Sequence, residues 1–320
     1  MVNLLLFLLN SLSPANSALV SNYVVGGFGN GASFAHQLHS AYATTIQSAG
    51  LVAPSPYYCS MGSKIRETSA CRVNPYLINI ESSIGQYTNA GSAGEVDPST
   101  SMSNDRAYLV SGTLDSSVVQ SVVKATETFY RTYIHNDYKV ITNYTIPAGH
   151  GWITDQYGGP CWSTGTPYIV NCGFDLAGDM LKHLISTLNP RVSQLPANLM
   201  SFDQSLYGDV WQAGLSSRGW IYLPASCVTN SNCQVIVMYH GCHQNFDTIG
   251  KIFVEETGIN EWAESNNIIV IYPQTIATQQ NPGGCWDTWG YTGSNFSIQT
   301  GLQMKLVHGI ALNPPYLKWT

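Results

Sequence analysis

With 320 residues the chain is long enough to bury a large core, as one big domain or two smaller ones. Only 10% of residues are charged, against about a quarter in a typical globular domain, while tyrosine (19) and glycine (29) are abundant. The formal net charge is −6 and Lys and Arg form no cluster, which argues against nucleic acid or an anionic membrane surface as partner.

Residues 1–18 read as a secretory signal. Leu4 to Leu9 is a short apolar core and Ala15-Asn16-Ser17-Ala18 offers small residues for cleavage, although the α-amino group is the only positive charge before the core. No later apolar run approaches the ~20 residues of a membrane span. A surface poor in charge and rich in Tyr, Ser, Thr and Asn suits an extracellular protein. The eight cysteines agree with secretion, falling as four close pairs in sequence: Cys59/Cys71, Cys161/Cys172, Cys227/Cys233 and Cys242/Cys285. Proximity suggests that pairing among the 105 connectivities that eight cysteines allow. Metal binding is the competing use, but no C-x-x-C occurs and no histidines flank the cysteines at finger spacing, so no metal is expected. Asn143-Tyr144-Thr145 and Asn295-Phe296-Ser297 are glycosylation acceptors in such a compartment.

An apolar run from Ala18 to Val25 meets the glycines Gly26, Gly27, Gly29 and Gly31, and a helical pattern with Phe34 and Leu38 follows at once. A strand turning sharply into a helix over glycines is the frame of a nucleophile elbow, G-x-S-x-G. Here the frame reads Gly27-Phe28-Gly29-Asn30-Gly31, so glycine stands where the attacking serine would be. The helix is expected over 32–48, then a short buried strand at Leu51–Pro54. A cysteine-stapled loop at 55–71, a weaker helix at 76–84 and a Gly/Ser/Asn-rich surface loop at 87–104 follow. Ala107–Gly112 reads as a strand with Asp115 directly after it, and Val119, Val122, Val123, Thr126, Phe129, Tyr130 and Tyr133 then recur at helical spacing. The strand expected at Tyr138–Tyr144 opens into Gly149-His150-Gly151, a glycine-flanked histidine.

Phe174–Leu188 is amphipathic, and Pro190 and Pro196 bracket the best candidate for a subdomain junction, near 190–198. Strands are expected at Gly219–Leu223 and Val235–Tyr239, the second running into His240-Gly241-Cys242. A two-piece helix over 246–266, broken at Gly258, precedes Ile268–Pro273, a continuous β-branched run suited to a parallel sheet buried on both faces. The last helix is expected over 297–310. Strands alternating with helices throughout predict an α/β fold with a mostly parallel central sheet flanked by helices. Residues 19–320 are expected to form a single domain.

Gly29, Asp115 and His150 stand in the order elbow, acid, histidine, each on a turn or loop after a strand, as in α/β-hydrolases. In such a triad His takes the nucleophile's proton and returns it to the leaving group, while Asp fixes its tautomer and stabilises the imidazolium. One backbone N–H of an oxyanion hole would come from the residue after the nucleophile, Asn30. The other would come from a loop at the end of a neighbouring strand, and His240-Gly241-Cys242 after Val235–Tyr239 resembles the HG-type oxyanion loop of esterases. That loop usually precedes the elbow; here it comes far later, which is how a circularly permuted hydrolase sheet would read.

These blocks resemble the secreted polyhydroxybutyrate (PHB) depolymerases, especially the fungal single-domain type, over about residues 22–312. The likeness rests on the glycine elbow, Ser111-Gly112-Thr113-Leu114-Asp115, His150-Gly151-Trp152-Ile153-Thr154-Asp155, and His240-Gly241-Cys242…Gln244 with Gly284-Cys285-Trp286-Asp287. The resemblance implies a circularly permuted α/β-hydrolase fold, carboxylic-ester hydrolysis without a cofactor, and paired cysteines at all eight positions. It implies Asp115 and His150 as triad acid and base, Asn30 and Cys242 as oxyanion donors, and Trp286 as an aromatic lining the ester crevice. The departure is the nucleophile: the family's elbow reads G-L-S-S-G.

The expected protein is therefore a secreted monomer that acts on or binds a polyester or small hydroxyalkanoate ester, with catalysis impaired because Gly29 has no hydroxyl. The alternative is an active esterase that uses water activated by His150 and Asp115, or the displaced serine Ser33.

Overall fold

The computed structural model describes residues 20–228 and 232–315. The expected signal at 1–18 lies outside them. Eleven strands are present among the described residues: β1 (Tyr23–Phe28), β2 (Ile46–Val52), β3 (Arg106–Val110), β4 (Val140–Asn143), β5 (Trp152–Thr154), β6 (Gly159–Pro160), β7 (Ile169–Asn171), β8 (Leu199–Asp203), β9 (Arg218–Tyr222), β10 (Gln234–Tyr239) and β11 (Ile268–Tyr272). Eight form one sheet in the order β4-β3-β2-β1-β10-β11-β9-β8, and β5, β7 and β6 form a small separate sheet.

From β4 to β11 every neighbouring pair is parallel, and β9 alone runs against the rest, antiparallel to both β11 and β8. The first strand of the chain is thus in the middle of the sheet. It pairs with β2 on one side and with β10 on the other, in register Val24↔Ile236 to Gly27↔Tyr239. This is the α/β-hydrolase sheet entered at its elbow strand, a circular permutation. All six residues of β1 and all five of β11 are buried, as a parallel sheet covered on both faces requires.

Several boundaries differ from the periodicity. The elbow helix ends at Ala41, and Ile46–Ala49 belongs to β2 rather than to a longer helix. Thr44, Thr45 and Ile46 are β-branched and favour leaving the helix. The segment expected as a loop at 87–104 is helical to Ser92 within the helix Ile80–Ser92, followed by a 3₁₀ turn at Ser99–Asn104. Tyr87 and Ala90 are buried on that helix, and Tyr87 packs against Phe129 and Tyr133 across the interface. Tertiary burial overrides the poor propensity of its Gly, Ser and Asn. The last helix starts at Leu302, not Ser297, and the 246–266 helix is three pieces rather than two. β8 and the small sheet carry too few residues of alternating pattern to be read beforehand.

The four disulfides join Cys59–Cys71, Cys161–Cys172, Cys227–Cys233 and Cys242–Cys285, and no described cysteine is free. No described helix is long and apolar enough to cross a membrane.

Candidate active site

Phe28 ends β1, and the chain turns through Gly29 directly into the helix Asn30–Ala41. The turn is tight enough that an added Cβ on Gly31 would lie 2.3 Å from both the Tyr239 and His240 carbonyl oxygens. That close approach of helix to β10 is what the frame glycine permits. Gly29 has φ 55° and ψ −121°, a conformation L-residues rarely adopt. Its N–H donates to the Val52 carbonyl at 2.8 Å and its own carbonyl accepts from Ser33 N–H at 3.0 Å. Among the described residues beyond its chain neighbours, a Cβ built on Gly29 would meet only His150 within 4 Å, with Nε2 at 3.3 Å and Cε1 at 3.5 Å.

The imidazole is held from its far side. His150 Nδ1 lies 2.8 Å from Asp115 Oδ2, and the side chains are 14% and 2% exposed. Asp115 Oδ1 in turn accepts the N–H groups of Ser117 and Val118, at 2.9 and 2.8 Å. One carboxylate oxygen therefore fixes the acid to its own loop, and the other orients the histidine. The two loops are tied backbone to backbone, Thr113 N–H to the Ile146 carbonyl at 2.8 Å and Leu114 N–H to that of Ala148 at 3.1 Å. His150 N–H donates to Thr164 Oγ1, and the ring leans on Phe28 with centroids 4.6 Å apart. With a proton on Nδ1 facing Asp115, Nε2 is left as an acceptor directed at the elbow.

β10 brings His240-Gly241-Cys242 alongside. Gly241 N–H donates to Gln244 Oε1 at 2.7 Å, and Gln244 Nε2 reaches the carbonyls of Pro167 and Tyr168 at 2.9 and 3.1 Å. The Cys242–Cys285 bridge ties this loop to the segment after β11. Burial drives the His240 imidazole down to about 4, so it is neutral, with Nδ1 near the Gly241 carbonyl and Nε2 near Thr275. Gly29, Asn30, His150 and Cys242 line one cleft of about 210 Å³.

Trp286 does not line that cleft. It is fully buried, stacked on Phe34 at 4.9 Å and edge-on to Tyr239, and its Nε1–H donates to the His240 carbonyl. Its indole is spent on holding the oxyanion-type loop from behind, because that face offers both an aromatic wall and a carbonyl needing a donor. Its backbone N–H goes to Asn30 Oδ1 at 2.5 Å, and Asn30 Nδ2 to Thr288 Oγ1, so the residue after the elbow is clamped by its side chain.

Ser33 also reaches the cleft, but its hydroxyl is engaged: Oγ donates to the Gly29 carbonyl at 3.2 Å and accepts from Ser55 N–H and Oγ at 2.9 and 3.0 Å. Two charged residues that the sequence did not single out are present as well, Glu67 and Arg72. Both belong to the segment around Cys71 whose fold is set by the Cys59–Cys71 bridge, and nothing in their spacing marks them. Among the described residues no group of three or more His, Cys, Asp or Glu is placed to hold a metal ion.

A permuted sheet carrying an elbow, a carboxylate–imidazole pair at its side and a bridged loop after the adjacent strand is the architecture of the α/β-hydrolase fold. Comparison with known proteins narrows the class. A poly(3-hydroxybutyrate) depolymerase of Delftia acidovorans is 39% identical over 299 residues, covering 92% of this chain, which spans 60% of that relative's length. A polyhydroxybutyrate depolymerase of Talaromyces funiculosus is 30% identical over 313 residues, covering 92% of this chain and 90% of the relative. Among solved structures, a serine-to-alanine variant of a PHB depolymerase complexed with an R3HB trimer superposes with a TM-score of 0.83 at 28% identity, over 95% of this chain and 97% of that one. No protein-family model matches the chain. The chain belongs to the polyhydroxybutyrate depolymerase family.

Proposed function

We propose that this chain is a secreted PHB-depolymerase-like protein that binds hydroxyalkanoate esters in the cleft beside Gly29, with hydrolysis strongly impaired. One observation carries the reading: His150 Nε2 faces the Gly29 position at 3.3 Å from where a side chain would begin, with Asp115 in place behind it. In an acyl transfer of this type the elbow hydroxyl attacks the ester carbonyl and His150 takes its proton. The N–H groups of Asn30 and Cys242 receive the charge developing on the carbonyl oxygen, and His150 returns the proton to the departing alcohol. Asp115 behind His150 supports that role, and a hydroxyl is the group Gly29 does not supply. Losing the serine of such a triad costs about 10⁶ in turnover and leaves roughly 10³–10⁴ over water from binding and the oxyanion hole.

The ligand assignment is supported by the relatives, named as PHB depolymerases, and by the R3HB trimer bound to the superposed protein. Four disulfides support secretion. Slow hydrolysis by water is the second reading, favoured by an Nε2 that no elbow side chain shields; water in the place of the hydroxyl would give its proton to His150 and attack directly. The engaged Ser33 hydroxyl lends no support to a displaced nucleophile. Turnover of a short-chain chromogenic ester, run beside fluorophosphonate labelling, tests the proposal. Labelling of a serine with rapid turnover would overturn it; slow turnover without a label would favour the water route. Retention on pelleted polymer granules above an inert secreted control is the expected sign of ligand binding.

A further inference from the structure

Resting on that reading of the cleft, we propose that Arg72 makes it a receptor for a carboxylate: the free acid end of a short hydroxyalkanoate, taken by the guanidinium beside the Cys242 loop. The chain has 13 Lys and Arg among 320 residues, so an arginine in the wall of the one cleft that also holds Gly29 and His150 is not explained by a surface rich in charge. Its backbone is fixed on three sides. The preceding Cys71 is bridged to Cys59, Arg72 N–H donates to the Ser69 carbonyl, and the Arg72 carbonyl accepts from Val119 N–H at 2.9 Å, close after the Asp115 loop. The side chain is 31% exposed, and the contacts it makes among the described residues go through Nη2 alone, 3.5 Å from Glu67 Oε1 and 3.9 Å from Cys242 Sγ.

A guanidinium presents five donors in a planar fork and recognises a carboxylate through two of them at once. Glu67 does not use that fork: its contact with Arg72 is a single long one, at 3.5 Å. Burial also pushes the Glu67 carboxyl up, against the downward pull of Arg72. The remaining edge of Arg72 is therefore open to an anion brought by a ligand. A cleft of about 210 Å³ lies below the usual span of drug-sized pockets, roughly 300–1,000 Å³, and is of a size for a short acyl unit. In an uncharged polyester the group that distinguishes a fragment from the interior of the polymer is its terminal carboxylate.

The test is calorimetric titration with the linear dimer of (R)-3-hydroxybutyrate as free acid and as methyl ester. Wild-type protein is expected to bind the acid about tenfold or more tightly than the ester, in line with a charge-assisted pair. Arg72→Gln should bring the ratio of acid to ester affinity down to near one, and Arg72→Lys should keep part of the preference. Equal affinity of wild type for acid and ester would overturn the inference and leave the ester-binding reading standing. Binding of neither would overturn both. Should Arg72→Gln fail to fold, the wild-type comparison decides alone, with weakening of the acid but not the ester at high salt as its second sign.

Discussion

His150 Nε2 lies 3.3 Å from where a Cβ on Gly29 would begin, while Nδ1 on the far side of the ring lies 2.8 Å from Asp115 Oδ2. Nothing else competes for that space. A glycine produced by drift in a collapsed site would be expected to leave the histidine turned away or another side chain filling the gap.

Restoring the hydroxyl is the most direct experiment. Gly29→Ser is expected to raise hydrolysis of a short-chain ester by about 10³ or more, given what removal of such a serine costs, and His150→Ala in that background should abolish the gain. The same substitution should lower stability, because φ 55° with ψ −121° strains any residue with a Cβ, by about 1–3 kcal/mol. Gly29→Ala should show the stability loss in denaturant titration with no activity.

The frame glycine at 31 has a different task, and Gly31→Ala should behave differently. Its Cβ would sit 2.3 Å from two backbone carbonyl oxygens of β10 and the loop after it, which cannot rotate aside. A loss of about 3 kcal/mol or more is expected in chemical denaturation, at the upper end of overpacking costs.

Acid should weaken the fold in a window set by buried histidines. Burial holds His240 and His308 down to about 4 and His36 well below its usual value, the last with both ring nitrogens buried and unpartnered between Phe129 and Tyr130. Above about pH 6.5 neither folded nor unfolded chain protonates them. As pH falls below that, the unfolded chain takes up protons the folded one refuses, so stability declines towards pH 4. Glu67 and Asp287, raised by burial, act in the opposite sense but equally in any histidine variant. His36→Leu should therefore lose less stability than wild type between pH 7 and 5, measured by thermal denaturation across buffers.

The Cys242–Cys285 bridge closes the longest of the four loops, with a separation of 43 residues. Replacing both cysteines by serine is expected to cost about 4 kcal/mol by loop-closure entropy. It should also loosen the loop carrying Cys242 N–H, so that in the Gly29→Ser background turnover falls further than the ester affinity.

Much of this site could be read from the chain, and the reasons are local. Gly27 and Gly31 mark a turn in which an added Cβ would meet backbone atoms, and Asp115 and His150 each come after a segment readable as a strand. Trp286 was misplaced because a tryptophan's indole suits a crevice wall and a core equally, and the choice depended on Phe34 and the His240 carbonyl, both distant in sequence. Asp287 shows the same limit: its carboxylate accepts the N–H groups of Gly290, Tyr291 and Thr292, a folded loop that no periodicity announces. Glu67 and Arg72 are found only once the bridged segment is laid against the cleft.

Placing the elbow strand in the middle of the sheet has a consequence for biogenesis. β1 is made long before β10, and one of its edges stays without its hydrogen-bonding neighbour until β10 is synthesised. A central strand waiting with a bare edge is an aggregation hazard and makes for slow, non-local assembly. The cleft, lined by residues from Phe28 to His243, is completed only once that late segment has been made. Any truncation that removes β10 should yield an insoluble product rather than a weakened binder.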